Sequence, residues 1–171
     1  FFGNVALTTQ VNEWFDITGK GAVDYYHQLQ QERIAVGSKR TPNALGQYTR
    51  YDKTFRDSNL DLILNCKTDI TEGIKFNGMV GANSRRSVMN SIFAFTNGGL
   101  VVPGIYALNN SIDPINSPSE SQTTLGTNSI YANASFNFLE TYFLEGTYRV
   151  DQSSTLPEDN NTYSYPSITG T

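Results

Sequence analysis

The chain has 171 residues and a net charge of −4, and only 16% of its residues are charged, against roughly 25% in an average soluble domain. It holds 17 Asn, 15 Ser, 18 Thr, ten Tyr and ten Phe but only nine Ala, a strand-forming composition that excludes a helical bundle and, being rich in β-branched and aromatic residues, excludes disorder. No apolar run approaches a membrane-crossing helix, no Lys/Arg block invites nucleic acid, and the lone Cys66 leaves no disulfide framework or cysteine metal site.

Period-two alternation is the dominant signal along the chain. Val5, Leu7, Thr9 and Val11 oppose Ala6, Thr8 and Gln10. After Asn12-Glu13, the residues Phe15, Ile17, Gly19, Gly21, Val23 and Tyr25 oppose Asp16, Thr18, Lys20, Ala22 and Asp24. No strong turn signal interrupts Phe15 to Ile34, so this second strand is long. Leu60, Leu62, Leu64 and Cys66 oppose Asp61, Ile63, Asn65 and Lys67. A turn within Asp69 to Gly73 leads to Ile74, Phe76, Gly78, Val80 and Ala82, opposite Lys75, Asn77, Met79, Gly81 and Asn83. Ile130 to Phe138 alternates cleanly, breaks at Leu139-Glu140-Thr141, and returns through Tyr142, Leu144, Gly146, Tyr148 and Val150. A seventh strand starts near Tyr163.

The connections alternate in length. Asn12-Glu13, Asp69 to Gly73 and Leu139 to Thr141 are tight. Ser38 to Leu45, Asn97 to Thr124 and Asp151 to Asn161 are long. In an antiparallel meander every tight turn falls at one end of the sheet and every long loop at the other, the asymmetry of outer-membrane β-barrels. Trp14, Phe15, Phe76, Phe136, Phe138, Tyr142 and Phe143 gather toward the tight turns, and Tyr25, Tyr26, Tyr131 and Tyr148 toward the loops. Two such bands around a strip of Val, Leu, Ile, Gly and Ala match interfacial girdles.

Alternation alone does not say which face is wet. A soluble β-sandwich that binds carbohydrate would bury the apolar face as its core, whereas a barrel would turn that face to lipid. A structural surface protein is a third reading. Loop asymmetry, girdles and strand length favour the barrel. Seven strands cannot close a porin-sized barrel. A chain opening at Phe1-Phe2 without Met and stopping mid-pattern at Ser167-Ile168-Thr169-Gly170-Thr171 therefore reads as a fragment.

Catalytic chemistry finds no support. His27 is the only histidine and reads as a surface or lumen-rim residue; Cys66 reads as a small hydrophobe. Asp151, Glu158, Asp159 and Asn160 fit no calcium loop spacing. Gly98, Gly99 and Gly104 read as turn glycines. No cofactor, metal or enzyme activity is expected. The candidate site is a transport surface: Arg85 and Arg149 on the polar alternation, with Asp151 in the same parity, placed to hydrogen-bond a passing ligand.

Three stretches are more specific. Gln31-Glu32-Arg33-Ile34-Ala35-Val36-Gly37-Ser38 follows the second strand. Asn97 to Ser111 reads NGGLVVPGIYALNNS. Ser153-Ser154-Thr155-Leu156-Pro157 and Asn160-Asn161-Thr162-Tyr163-Ser164-Tyr165-Pro166-Ser167 close the chain. Together they resemble the barrel of SusC/RagA-type TonB-dependent outer-membrane transporters of Bacteroidetes, over essentially the whole length. One departure is Arg149-Val150-Asp151-Gln152-Ser153-Ser154, where the family commonly has Trp in place of Gln152. The resemblance implies an all-β chain of antiparallel up-and-down strands forming an arc of a barrel of roughly 22 strands filled by an N-terminal plug. It implies import of glycans or peptides, a SusD-like surface lipoprotein as lid over the long loops, energy from TonB, and outer-membrane lipid around the barrel. Residues 1–171 would then be one piece of the barrel domain, with plug and signal peptide absent.

Overall fold

The computed structural model describes residues 1–41 and 44–171. Among them nine strands form: β1 (Phe2–Asn12), β2 (Phe15–Ile34), β3 (Gln47–Thr71), β4 (Ile74–Phe95), β5 (Asn97–Leu100), β6 (Ser111–Asp113), β7 (Ser119–Phe138), β8 (Tyr142–Ser153) and β9 (Thr162–Gly170). The seven long ones make one sheet in the order β1-β2-β3-β4-β7-β8-β9, and β5 pairs with β6 in a separate hairpin. Every long strand thus lies beside its neighbour among the long strands in the chain. The registers, such as Leu7↔Gly19, Ala134↔Gly146 and Thr147↔Ser167, are antiparallel. β4 and β7 also run antiparallel: Leu139 N–H donates to Gly73 O at 2.7 Å, Ser135 reaches Asn77 O and Ser84 reaches Asn128. Among the described residues no helix is long and apolar enough to cross a membrane, which says nothing of strands.

The chain divides into two compact units: Phe1–Asp24 with Asp57–Ser87 and Thr124–Thr171, and Tyr25–Arg56 with Val88–Thr123. The three tight turns belong to the first unit. The long connections from β2 to β3 and from β4 to β7 belong to the second, and that from β8 to β9 to the first.

In the first unit the alternation holds across every strand. Ile130, Ala132 and Phe136 sit opposite Val150, Tyr148 and Leu144 on the apolar face. Ser129, Tyr131, Asn133 and Ser135 sit opposite Asp151, Arg149, Thr147 and Glu145 on the polar face. The apolar face is open: Leu60 is 63% exposed and Ile130 65%. Among the described residues no second sheet covers it, and the buried hydrophobic residues, Ile34, Tyr48, Ala94 and Leu100, all lie in the second unit. A sandwich would bury that face between two sheets, so the sandwich expectation is not met. A single-layer sheet with this much open apolar surface lacks the core that stabilises a soluble domain.

Several boundaries differ from those read in the sequence. β3 begins at Gln47, well before Leu60, and runs through Asp69 to Thr71. β7 begins at Ser119, inside the expected loop of Asn97 to Thr124, and β8 keeps Asp151 to Ser153. Ser-Glu-Ser-Gln-Thr-Thr at 119–124 is polar on both faces, so it carries no hydrophobic period although its backbone is extended. The start of β3 shows no period either, because its aromatics Tyr48, Tyr51 and Phe55 fall on both parities. Asp151 and Ser153 stay in the ladder because Ser129 and Thr127 pair with them. The rest of the long β4–β7 connection is organised rather than open. Buried Asn110 accepts from Val102 N–H at 3.0 Å and donates to Val102 O at 2.9 Å and Ile105 O at 2.6 Å. Gly99, at φ 111 with a Cβ position 2.4 Å from the Leu45 Cβ, is required where this connection meets the β2–β3 loop.

The β7–β8 connection is a three-residue loop, Leu139 to Thr141, in which Thr141 N–H donates to Phe138 O at 3.0 Å. Its first two residues, Leu139 and Glu140, have positive φ (52 and 54). Turns of this hand normally use Asn-Gly, because left-handed backbone strains residues with a Cβ. Neighbours hold the conformation: Lys75 Nζ donates to Glu140 Oε1 at 2.7 Å, and Leu139 N–H is fixed by Gly73.

Candidate functional site

On the polar face of the first unit, β3, β4, β7 and β8 present a continuous hydrogen-bonded surface. Arg85 on β4 donates to Asp57 on β3 through Nε, at 3.2 and 3.0 Å from the two carboxylate oxygens. Its second contact is an NH2 nitrogen 2.8 Å from Asp57 Oδ2. Ser87 Oγ adds a donor to the same carboxylate at 2.6 Å. The Asp57 side chain is 13% exposed, whereas that of Arg85 is 59% exposed. The acid is therefore sheltered, and the free edge of the guanidinium looks outward.

Next to this pair, Asn83 Nδ2 donates to Asn59 Oδ1 at 2.9 Å and to Asp61 Oδ1 at 2.8 Å, and Asn59 donates to Asp61 Oδ2 at 3.0 Å. Across β7, Arg149 on β8 donates through Nε to Asp151 at 2.7 Å and through NH2 to Ser129 Oγ at 3.0 Å. The Arg149 guanidinium lies 5.6 Å from the centroid of the Tyr131 ring. Tyr131 in turn covers Gly81, where a Cβ would come 2.3 Å from the ring. Glycine is needed here because an aromatic ring occupies the space that a side chain would fill.

Arg85 and Arg149 line one cavity of about 360 Å³ with Asn59, Asp61, Asn83, Thr127 and Tyr131. The structure thus brings two of the three sequence-predicted residues together. Asp151 does not line the cavity; it holds Arg149. Asp57, Asn59 and Tyr131 are site residues that the sequence reading does not single out. Asp57 and Asn59 share the parity of Asp61, so running the alternation of β3 back past Leu60 would have found them.

A guanidinium has five N–H donors in a planar fork. Arg85 and Arg149 each keep N–H donors for other acceptors, and Asp61 accepts from the amides of Asn59 and Asn83. The surface presents both donors and a carboxylate. Exposed ion pairs of this kind contribute roughly 0–1 kcal/mol to stability, so their consequence is a fixed geometry of donors more than a stable fold.

His27 hydrogen-bonds Asp52 at 2.5 Å, and Arg50 reaches the same carboxylate at 3.0 Å. Among the described residues no group of three His, Cys, Asp or Glu is placed to hold a metal ion. In the β7–β8 turn, outside the strands, Lys75 holds the Glu140 carboxyl below its ordinary value of 4.5.

No protein-family model and no curated protein matches the sequence. Solved structures do match. A chain in the structure of the RagAB peptide transporter superposes with a TM-score of 0.91 at 14% identity, over 99% of this chain and 19% of that one. A chain of the RagAB peptide importer in its "open-open" state gives 0.86 at 15% identity, over 99% and 19%. The siderophore receptor PiuA from Acinetobacter baumannii gives 0.56 at 14% identity, over 99% and 28%. These are transporters and a receptor, not enzymes. The chain spans about a fifth of the length of the first of them. Its fold is that of the matching stretch of the RagAB transporter chain, an antiparallel up-and-down meander of long strands.

Proposed function

We propose that the chain is part of the barrel wall of an outer-membrane, TonB-dependent active transporter that imports peptides or glycans. The observation that carries the reading is the open apolar face of a single-layer sheet that superposes over 99% of its length on the RagAB barrel. In this reading Leu60, Leu62 and Leu64 of β3 and Ile74, Phe76 and Val80 of β4 meet lipid, and the odd-numbered residues between them line a wet lumen. The Arg85–Asp57 and Arg149–Asp151 surface then faces the passing substrate. The ordered β4–β7 connection, which exposes Val101, Val102 and Ile105, meets a SusD-like surface lipoprotein that acts as a lid.

Fractionation of cells making the complete protein, followed by uptake of labelled oligopeptides and oligosaccharides with and without TonB, tests the reading. Recovery in the outer membrane and TonB-dependent uptake are expected. Recovery in the soluble fraction would refute it. Photo-cross-linkers at the exposed Val101 and at Ser119 should capture the lid; labelling of no lipoprotein in intact cells would remove that partner.

A further inference from the structure

We infer that the second unit carries a side-chain pocket for an apolar residue of an extended peptide, an inference that rests on the transport reading above. A cavity of about 520 Å³ is lined by Tyr51, Phe93 and Phe95 together with Gln30, Glu32 and Gln47. Tyr51 has the odd numbering of Asp57 and Asp61 along β3, the alternation that a barrel turns inward. Tyr51 and Phe93 meet at 6.4 Å with planes 60° apart, and Phe93 and Phe95 at 5.8 Å and 48°. Tilted rings make a notch rather than a flat shelf. A notch grips an aromatic or branched aliphatic side chain edge-to-face, whereas a sugar ring stacks best on one open plane.

The polar groups point the same way. The one carboxylate of its lining, Glu32, is paired with Arg40 at 2.7 Å. The side-chain amides of Gln30 and Gln47 have no hydrogen-bond partner among the described residues. Each presents one acceptor and two donors beside the rings, the complement of a peptide group. An extended peptide places an amide next to every side chain, so one residue fills the notch while its backbone meets the glutamines.

The test uses the complete transporter in detergent and three probes: Ac-Gly-Ala-Phe-Ala-Gly-NH2, the same peptide with Ala for Phe, and maltohexaose, measured by calorimetry. The Phe peptide is expected to bind at least tenfold more tightly than the Ala peptide. Phe93→Ala should abolish that preference, and Gln47→Ala should weaken both peptides alike. No preference in the wild type, a preference that survives Phe93→Ala, or maltohexaose binding that depends on Phe93 would each overturn the pocket. Recovery of the Phe93→Ala protein in the membrane with an unchanged melting curve separates loss of the pocket from loss of the fold. A wild-type protein that never enters membranes would instead refute the transport reading itself.

Discussion

Arginine placed at Leu64 should destabilise the barrel far more than arginine placed one residue later at Asn65. Leu64 lies seven residues before the end of β3 at Thr71. At about 3.3 Å per residue that is roughly 23 Å along the strand. With a tilt of about 45° it lies roughly 16 Å from the turn. The apolar band of such barrels is about 25 Å tall, so Leu64 falls close to its middle once the turn clears the interface. Arg at the lipid-facing midplane costs about 2–4 kcal/mol. Asn65 has the opposite parity, and its Nδ2 donates to Asp16 at 2.8 Å. A guanidinium introduced there would find the same carboxylate in a wet lumen, at a cost of about 1 kcal/mol or less. Equilibrium urea unfolding of the complete barrel in lipid vesicles measures both. Equal losses, or a larger loss for Asn65→Arg, would refute the assigned faces.

Gly81→Val must displace the Tyr131 ring and with it the contact to Arg149; a loss of about 1–3 kcal/mol is expected, and an unchanged unfolding midpoint would contradict the packing. Asn110→Ala removes the three bonds that tie Val102 and Ile105; the β4–β7 connection should become the first site of limited proteolysis, and an unaltered cleavage pattern would contradict that role. Lys75 favours the charged form of Glu140, so the interaction is present at neutral pH and is lost as pH falls through the depressed value of Glu140. An NMR titration should therefore place the Glu140 midpoint below 4.5 and Lys75→Met should raise it; the same midpoint in both proteins would contradict the contact.

The sheet is legible in the sequence where one face is apolar. Ile130 to Phe138 and Tyr142 to Val150 declare their period because Ile130, Phe136 and Leu144 recur at even places. The strand order follows from alternating loop lengths. Hidden are stretches such as 119–124, polar at every position, and 47–59, whose aromatics Tyr48, Tyr51 and Phe55 fall on both parities, so that an extended backbone carries no hydrophobic period. That is why the acid of the Arg85 pair escapes a reading of the sequence: Asp57 lies in such a stretch. The role of Asp151 is hidden for a different reason. Parity places it near Arg149, but only the geometry shows that it holds the guanidinium instead of facing the cavity. The aromatic notch is invisible too, because it joins Tyr51 to Phe93 across 42 positions of sequence.

Single spin labels placed in turn at positions 60 to 65 of the complete protein, in a Cys66→Ser background reconstituted in vesicles, test the central claim most directly. Collisions with oxygen, which concentrates in lipid, should peak at 60, 62 and 64. Collisions with a water-soluble nickel chelate should peak at 61, 63 and 65. If labels at 60, 62 and 64 were shielded from both reagents, the apolar face would be a buried core and this sheet would not be the wall of a membrane barrel.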